Sequence, residues 1–510
     1  MPANLFIIEA PGKRQGLFEV LRRAAVRDID IEATVGHLCA NPDGFKPLGI
    51  DSQYRETGYR IRPDRERLAA SIAAKASDAK RIYLATDDDQ EGDVIARDVL
   101  RFCIPDEHRH KAVRLRLKAL SQAEVQAALR EAEPFDEMMA EQGDARRIID
   151  RLLGSLSDQD GAIGRVQGSL LVALADQRPV VGVVTHTLAA VDGKADFIAK
   201  TPVFAGQKAP VPIEIERGTA VASAERTTLG IGPMNHDQIL LAASMRTGAG
   251  LDDVSKAMQR LYEKGRMSYP RAKDCAISQE SLRRLAMVGR ANGAAFRPDL
   301  FEGVRDVAGA HAHEAPNPMV LDVPVNRNFD LLTLDEQVLV TVTRNLLEAG
   351  IEARIERPNI LGLAPDTQAM DWHRVTAVGT RLWEGEKNVA GLQRWTKEQS
   401  LLHFMMKQGL GRPSTVVSHV NKFLTRGLVT QDFDFTVKGQ QWYANTGAKI
   451  GYRNLSVLIE DFIDKHRNMS SEVVADMVKL FELHTIKYVV EQQSEAQIHE
   501  DTEIYTEFIP

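Results

Sequence analysis

Apolar and polar positions follow two different periods along this chain. In the first ~130 residues, short unbroken apolar runs alternate with stretches at helical spacing. LFIIEA (residues 5–10), IYLATD (82–87) and AVRLRL (112–117) read as buried strands, and GLFEVLRRAAV (16–26) as a helix. Strand and helix in alternation predict a βα unit with a mostly parallel sheet. From about residue 137 to 175 the pattern turns helical, with Ile148, Ile149, Leu152 and Leu153 on one stripe and Arg146, Arg147, Asp150 and Arg151 around it. Between 200 and 228, and again between 351 and 392, short β-like runs carry Pro and Gly. The helical stretch between them predicts one β-rich domain that the chain leaves and re-enters. The last ~115 residues read as largely helical, with no repeat and no low-complexity segment.

With 510 residues, the chain has the length of several domains. Its 44% hydrophobic and 26% charged content is that of an ordinary soluble protein. Glu9, Lys13, Arg14 and Glu19 interrupt the N-terminus, which excludes a signal-peptide core, and no apolar run is long enough for a membrane span. Cys39, Cys103 and Cys275 are scattered, so neither a disulfide framework nor a CxxC zinc site is expected, and the compartment expected is the cytoplasm. The net charge of −7 gives no global sign of nucleic-acid binding, which depends on local patches. From 401 to 468 there is such a patch: nine Lys/Arg (407, 412, 422, 426, 438, 449, 453, 465, 467) against five acids (432, 434, 460, 461, 464). The tail from Glu491 carries acids and no Lys or Arg, which suits a solvated end or a protein partner better than a DNA-binding arm.

The chemistry concentrates at "DDDQEGD", residues 87–93. These acids follow an apolar strand and precede a helix, at the carboxyl edge where open α/β sheets place ligands. Crowded carboxylates raise one another's pKa unless a cation neutralises them, and Asp87, Asp89 and Glu91 alternate as ligands of a hard ion such as Mg²⁺ might. The other reading is a helix N-terminus with acids as caps and dipole partners, which suits one or two of the acids better than all of them. This stretch alone does not choose between the two. Upstream, "FIIEAPGKRQG" ends a strand in Glu9 and follows it with Lys13, so carboxylates and a lysine meet as in a phosphoryl-transfer site.

Together these two stretches resemble the Toprim domain of topoisomerases and primases. Further stretches narrow the resemblance to type IA DNA topoisomerases. "DARRIIDRLLG" (144–154) is similar to that family's ARR-x-x-D-R-L-x-G helix, and "AIGRVQGSLL" (162–171) to its GRVQ motif. "MQRLYEKGRMSYPRAKD" (258–274) is similar to its nucleophile segment, a helix, a turn and a strand ending in Tyr-x-Arg. "AHEAPNP" (312–318) and "GLGRPSTVVSHVNKFLTRGLV" (409–429) resemble its HEA and GRPST segments. The motifs stand in the family's order from Glu9 to about Val429.

The resemblance implies an activity that needs no ATP: a tyrosine hydroxyl attacks a backbone phosphorus of one DNA strand, leaving a 5′-phosphotyrosine link and a free 3′-hydroxyl, and strand passage precedes religation. Relaxation of negative supercoils and decatenation of gapped DNA both stay open. Tyr269 is the implied nucleophile, in a context before Pro270 that favours extended backbone. Arg271, on the same face of a strand, and Lys13 are implied to stabilise phosphate charge. Glu9 is the implied general acid for the departing 3′-oxygen, and Asp87 and Asp89, with Glu91, the Mg²⁺ ligands. His313 could hydrogen-bond a phosphate or serve packing. Arg147, Asp150, Arg165, Gln167, Arg412, Ser414 and Thr415 carry over as contacts to single-stranded DNA, and His37 in "TVGHL" more loosely.

The implied architecture is multidomain α/β plus α: a Rossmann-like Toprim domain, helical domains and a β-rich arch forming a toroidal clamp. Its expected parts are 1–132 (Toprim, with an excursion near 37–65), 133–195 with 393–510 (helical base), 196–229 with 351–392 (arch) and 230–350 (helical gate bearing Tyr269). A monomer without zinc is expected, acting on single-stranded and negatively supercoiled DNA. The chain also departs from the family's motifs. The acid loop usually reads DPDREGE, so Asp88 stands for proline and Gln90 for arginine. Ser155 stands where bacterial members carry tyrosine, and Asn317 where HEAIRP has arginine. The rival readings are a Toprim nuclease or primase that makes no covalent intermediate, and a catalytically inactive DNA-binding clamp.

Overall fold

The computed structural model describes residues 3–118, 120–156, 163–305, 313–383, 389–450, 455–481 and 483. The acidic run after Glu491, and the first residue of the stretches "AIGRVQGSLL" and "AHEAPNP", lie outside them. The chain divides into two compact units, residues 1–173 with 437–510, and residues 174–436.

The first unit is built on four parallel strands in the order Ile29–Ala33, Asn4–Ile8, Arg81–Leu84, Ala112–Arg114. Period two splits the central strand's side chains between two cores. Leu5 and Ile7 pack with Ile72, Ile82 and Val99 on one face, and Phe6 and Ile8 with Leu17, Leu21, Leu115 and Val125 on the other. A sheet covered on both faces explains why these strands read as continuous apolar runs. The helices Glu66–Asp78 and Gln90–Asp98 cover the first face, Lys13–Arg23 and Gln122–Glu131 the second. The helical stripe of Ile148, Ile149, Leu152 and Leu153, on the helix Met138–Ser155, is buried with Ile459, Ile463, Val474 and Met477 of two later helices. Leu48 and Ile50 of the expected excursion join that core.

The second unit holds two sheets and the helical insertion. Val180–Ala190 lies between Phe197–Phe204 and Gly391–Arg394, antiparallel to both, and Glu214–Thr219 runs parallel to it. That 11-residue strand falls within the stretch expected to be helical up to 195. From Gly182 to Leu188 its positions alternate between buried (Gly182, Val184, His186, Leu188) and half-buried (Val183, Thr185, Thr187), the period of two of a strand. The helices Lys397–Lys407 and Val416–Thr425, expected in one base domain with residues 133–195, fall in the second unit.

The entry and exit of the insertion are paired strands. Val221–Thr228 runs antiparallel to Glu352–Pro358 with Thr228 opposite Glu352, and Arg374–Ala377 completes that sheet. Between them stand the helices His236–Thr247, Leu251–Glu263, Gln279–Ala291 and Leu334–Glu348. A Cβ on Gly230 would lie 2.7 Å from both Asn345 O and Ala349 N, where the incoming chain passes the end of the last helix. Gly230→Ala is therefore expected to cost about 1–3 kcal/mol of this unit's stability. Thermal melting should show the drop, and Gly232→Ala, where no atom stands within 4 Å of the added Cβ but φ is +98°, separates backbone strain from this clash. No helix among the described residues is long and apolar enough to cross a membrane.

Candidate active site

Glu9 follows the strand Asn4–Ile8, and its carbonyl accepts from Val35 N at 2.9 Å. Val35 has φ +57°, a conformation strained for a β-branched residue, and with Gly36 at φ +83° it turns the chain to present His37. His37 Nε2 lies 2.9 Å from Glu91 Oε2. Burial pulls the His37 pKa down, but the hydrogen bond and charge of Glu91, with Asp98 and Glu9 farther off, outweigh it and leave the pKa raised.

The acid loop is laced to the sheet. Arg114, at the end of its strand and 2% exposed, donates to the carbonyls of Leu84 (2.8 Å), Thr86 (2.9 Å) and Asp87 (2.7 Å), and its Nε to Asp93 Oδ1 at 2.8 Å. Arg116 donates to Asp88 Oδ1 (2.6 Å) and Asp93 Oδ2 (3.1 Å). Asp89 caps the helix Gln90–Asp98 by accepting from Gly92 N at 2.8 Å. The turn is so tight that a Cβ on Gly92 would lie 2.0 Å from Asp87 O. Lys13, buried at the first position of its helix, forms an ion pair with buried Asp87.

Asp87, Asp88, Asp89, Glu91 and Asp93 thus each have a partner within the protein, and the capping reading holds for Asp89. Among the described residues, no three His, Cys, Asp or Glu side chains form a group that could hold a metal ion. Of the expected Mg²⁺ ligands, Asp87 pairs with Lys13, Asp89 accepts from Gly92 N, and Glu91 lies 2.9 Å from His37 Nε2.

Arg147 and Arg165, expected to contact DNA, are paired with carboxylates of the protein. Arg147 makes a bidentate pair with Glu56 (2.9 and 2.6 Å), a third bond to Asp144 (2.7 Å), and stacks 3.8 Å from the Tyr59 ring centroid. Arg165, 5% exposed, pairs with Asp150 and Glu460. Gln167 is buried beside it in sequence. These pairs tie the helix Met138–Ser155 to the excursion and to the helix Leu455–Lys465. The motif arginines are therefore engaged with carboxylates within the protein. Sequence reading missed Glu56, Glu460, Arg114 and Arg116. The last two had a signal: arginines two apart on an otherwise apolar strand share one face.

The second half of the expected site lies in the second unit. Tyr269 is 1% exposed, its ring edge-to-face with Tyr262 at 5.4 Å between centroids and tilted against His313 at 4.4 Å. Its segment is not the expected strand. After the helix Leu251–Glu263 and a turn at Gly265 (φ +65°), a single antiparallel bridge joins Met267 to Pro318. Pro270 cannot donate to a ladder, so extended pairing stops there. Arg271, two residues on and half-buried, does not gain the shared strand face expected for it. Arg412, Ser414 and Thr415 form the turn before the helix Val416–Thr425, half-buried, with Thr415 N bonded to Arg412 O at 2.9 Å.

The departures from the motifs have local partners too. Asp88 meets Arg116, Gln90 donates to Gln142 at 2.6 Å, and the Ser155 hydroxyl returns to Leu152 O at 2.7 Å. Asn317 accepts from Arg284 at 3.0 Å.

Glu9 and an acid-rich turn thus stand at the carboxyl edge of a parallel sheet. Residues 4–119 match the Toprim domain family. Along its length the chain is similar to the DNA topoisomerase 1 of Vibrio cholerae, 22% identical over 537 residues, covering 85% of this chain and 59% of that protein. The DNA topoisomerase 1 of Campylobacter jejuni is 24% identical over 386 residues, covering 68% of this chain and 54% of that protein. The chain thus spans somewhat over half the length of these curated relatives. Its fold is that of full-length topoisomerase I from Thermotoga maritima, with a TM-score of 0.63 at 16% identity, covering 94% of this chain and 90% of that one.

Proposed function

We propose that the chain is a type IA DNA topoisomerase that cuts one DNA strand through Tyr269, passes a strand and reseals the cut without ATP. The observation that carries this reading is the union, in one chain with the topoisomerase I fold, of a Toprim acid loop and a tyrosine buried against a histidine. In the first half-reaction the Tyr269 oxygen bonds to phosphorus and releases its proton to solvent, while the bond from phosphorus to the 3′-oxygen breaks. Glu9 gives a proton to that departing oxygen and takes it back on resealing. Lys13 and Arg271 offset charge on the phosphate. Because Tyr269 is buried, its segment must open before a phosphate reaches it. For Arg147 and Arg165 to hold DNA, phosphates must displace their carboxylate partners. The oxygen-rich loop supports Mg²⁺ as the accompanying ion, outside these steps.

The test incubates supercoiled plasmid with the protein and Mg²⁺, without ATP, and resolves protein-linked DNA on a denaturing gel. Relaxation with a covalent adduct is the expected result. Cleavage without an adduct would favour a Toprim nuclease, and DNA binding without either product an inactive clamp.

A further inference from the structure

One antiparallel bridge, Met267 to Pro318, joins the segment that bears Tyr269 to residues 313–318, and the Tyr269 ring is buried. What fixes it is a strap, residues 313–318, that also carries His313. Ser268 and Asn317 bond reciprocally: Ser268 N to Asn317 O at 3.0 Å, and Asn317 N to Ser268 Oγ at 3.0 Å. Met319 N reaches Arg266 O at 2.9 Å on one side, and Ala315 N reaches Ala276 O at 2.7 Å on the other. The strap therefore sets where Tyr269 and His313 meet.

The strap in turn is held by one guanidinium from another element. Arg284, on the helix Gln279–Ala291, donates Nε to Pro318 O at 2.9 Å and Nη2 to Asn317 Oδ1 at 3.0 Å. Its Nη2 also reaches Ser281 Oγ at 2.7 Å, one turn earlier on the same helix. Asn317, 3% exposed, completes the arrangement by donating Nδ2 to Ala315 O at 3.0 Å and Glu314 Oε2 at 3.3 Å. Position 317 is where the resembling motif has arginine, so this chain lacks a guanidinium on the strap and receives one from the neighbouring helix.

We infer that Arg284 is a positioning residue for the nucleophile, fixing Tyr269 against His313 through Asn317 and the Ser268 pair. The inference rests on the reading of Tyr269 as nucleophile for its kinetic consequence, but its structural content stands apart from that reading. A planar fork that bonds a carbonyl and a side-chain amide together holds both at fixed spacing, which an ammonium does not. A displacement of the order of 1 Å at a reacting atom costs up to about a hundredfold in rate.

The test uses Arg284→Ala, Arg284→Lys and the double variant Arg284→Ala/Asn317→Arg in the full chain. Hydrogen exchange of peptides covering residues 266–271 and 313–319 is read first, since it needs no activity. Both peptides should exchange faster in Arg284→Ala and partly so in Arg284→Lys, with peptides of the Toprim sheet unchanged. The adduct-forming rate on a saturating single-stranded oligonucleotide should then fall by roughly ten- to a hundredfold, with the oligonucleotide Kd within about twofold. The double variant, returning a guanidinium to the strap, should recover part of the rate. Unchanged exchange in those two peptides overturns the inference whatever the activity does. So does a weakened Kd at an unchanged rate, which would make Arg284 a DNA contact. Should Arg284→Ala fail to fold, Arg284→Lys decides: wild-type exchange and rate in that variant overturn the inference. A protein that forms no adduct at all, with exchange altered as expected, would refute the proposed function and leave the positioning role standing.

Discussion

Tyr269→Phe is expected to abolish covalent adducts and relaxation, lowering the rate by at least ~10⁴-fold, while single-strand binding stays within a few-fold. The Tyr269 ring packs edge-to-face with Tyr262 and tilted against His313, contacts that a phenylalanine ring keeps. What leaves is the oxygen that would bond to phosphorus. Denaturing gels with labelled oligonucleotide read the adduct, and a melting curve checks that the insertion still folds. Adducts persisting in this variant would place the nucleophile elsewhere and remove the basis of the proposed function.

Asp93→Ala is expected to be the most damaging single change in the acid loop, at about 3–5 kcal/mol of stability. Asp93 is fully buried and neutralises two arginines at once, Arg114 at 2.8 Å and Arg116 at 3.1 Å. Removing it leaves the Arg114 charge, 2% exposed, facing backbone carbonyls alone, and Arg116 with Asp88. Truncating one partner of a buried pair costs far more than the pair contributes net, because the other charge cannot return to water. Asp93→Asn, which keeps an acceptor and loses the charge, should cost less. Hydrogen exchange over residues 81–117 measures the local effect and a denaturation curve the total. A stable Asp93→Ala protein with normal protection of that stretch would show that the carbonyl bonds of Arg114 hold the loop by themselves.

Much of the framework was legible in the sequence, and for a definite reason. A strand buried on both faces must be apolar throughout, so Leu5–Ile8, the run from Ile82 and that from Ala112 announced the parallel sheet. The helical stripe of Ile148, Ile149, Leu152 and Leu153 is the core face it was read to be. Side-chain period is a local property, and it survives folding unchanged. The strand Val180–Ala190 was not legible in this way, because its buried face includes Gly182 and His186 while Val183 is only half-buried, so polarity does not mark its two faces.

The site divides along the same line. Residue types at motif spacing put Glu9, Lys13, Asp87, Tyr269 and His313 on the list, since chemistry needs those groups wherever the chain folds. The state of each group was decided only by residues far away in sequence. Lys13 reaches Asp87 across 74 positions, Arg147 meets Glu56 across 91, and Arg165 meets Glu460 across 295. No local pattern encodes such pairs, because a charge is satisfied by whatever the fold brings within a few ångströms, and the chain between the partners is free to vary. Hence the sequence by itself determined the sheet, the helical stripes and the cast of reactive groups. Folding alone settled which partner each acid of the loop meets, that the motif arginines are engaged, and that an arginine from a neighbouring helix bonds to the tyrosine's strap, since burial makes each charge find its partner across space.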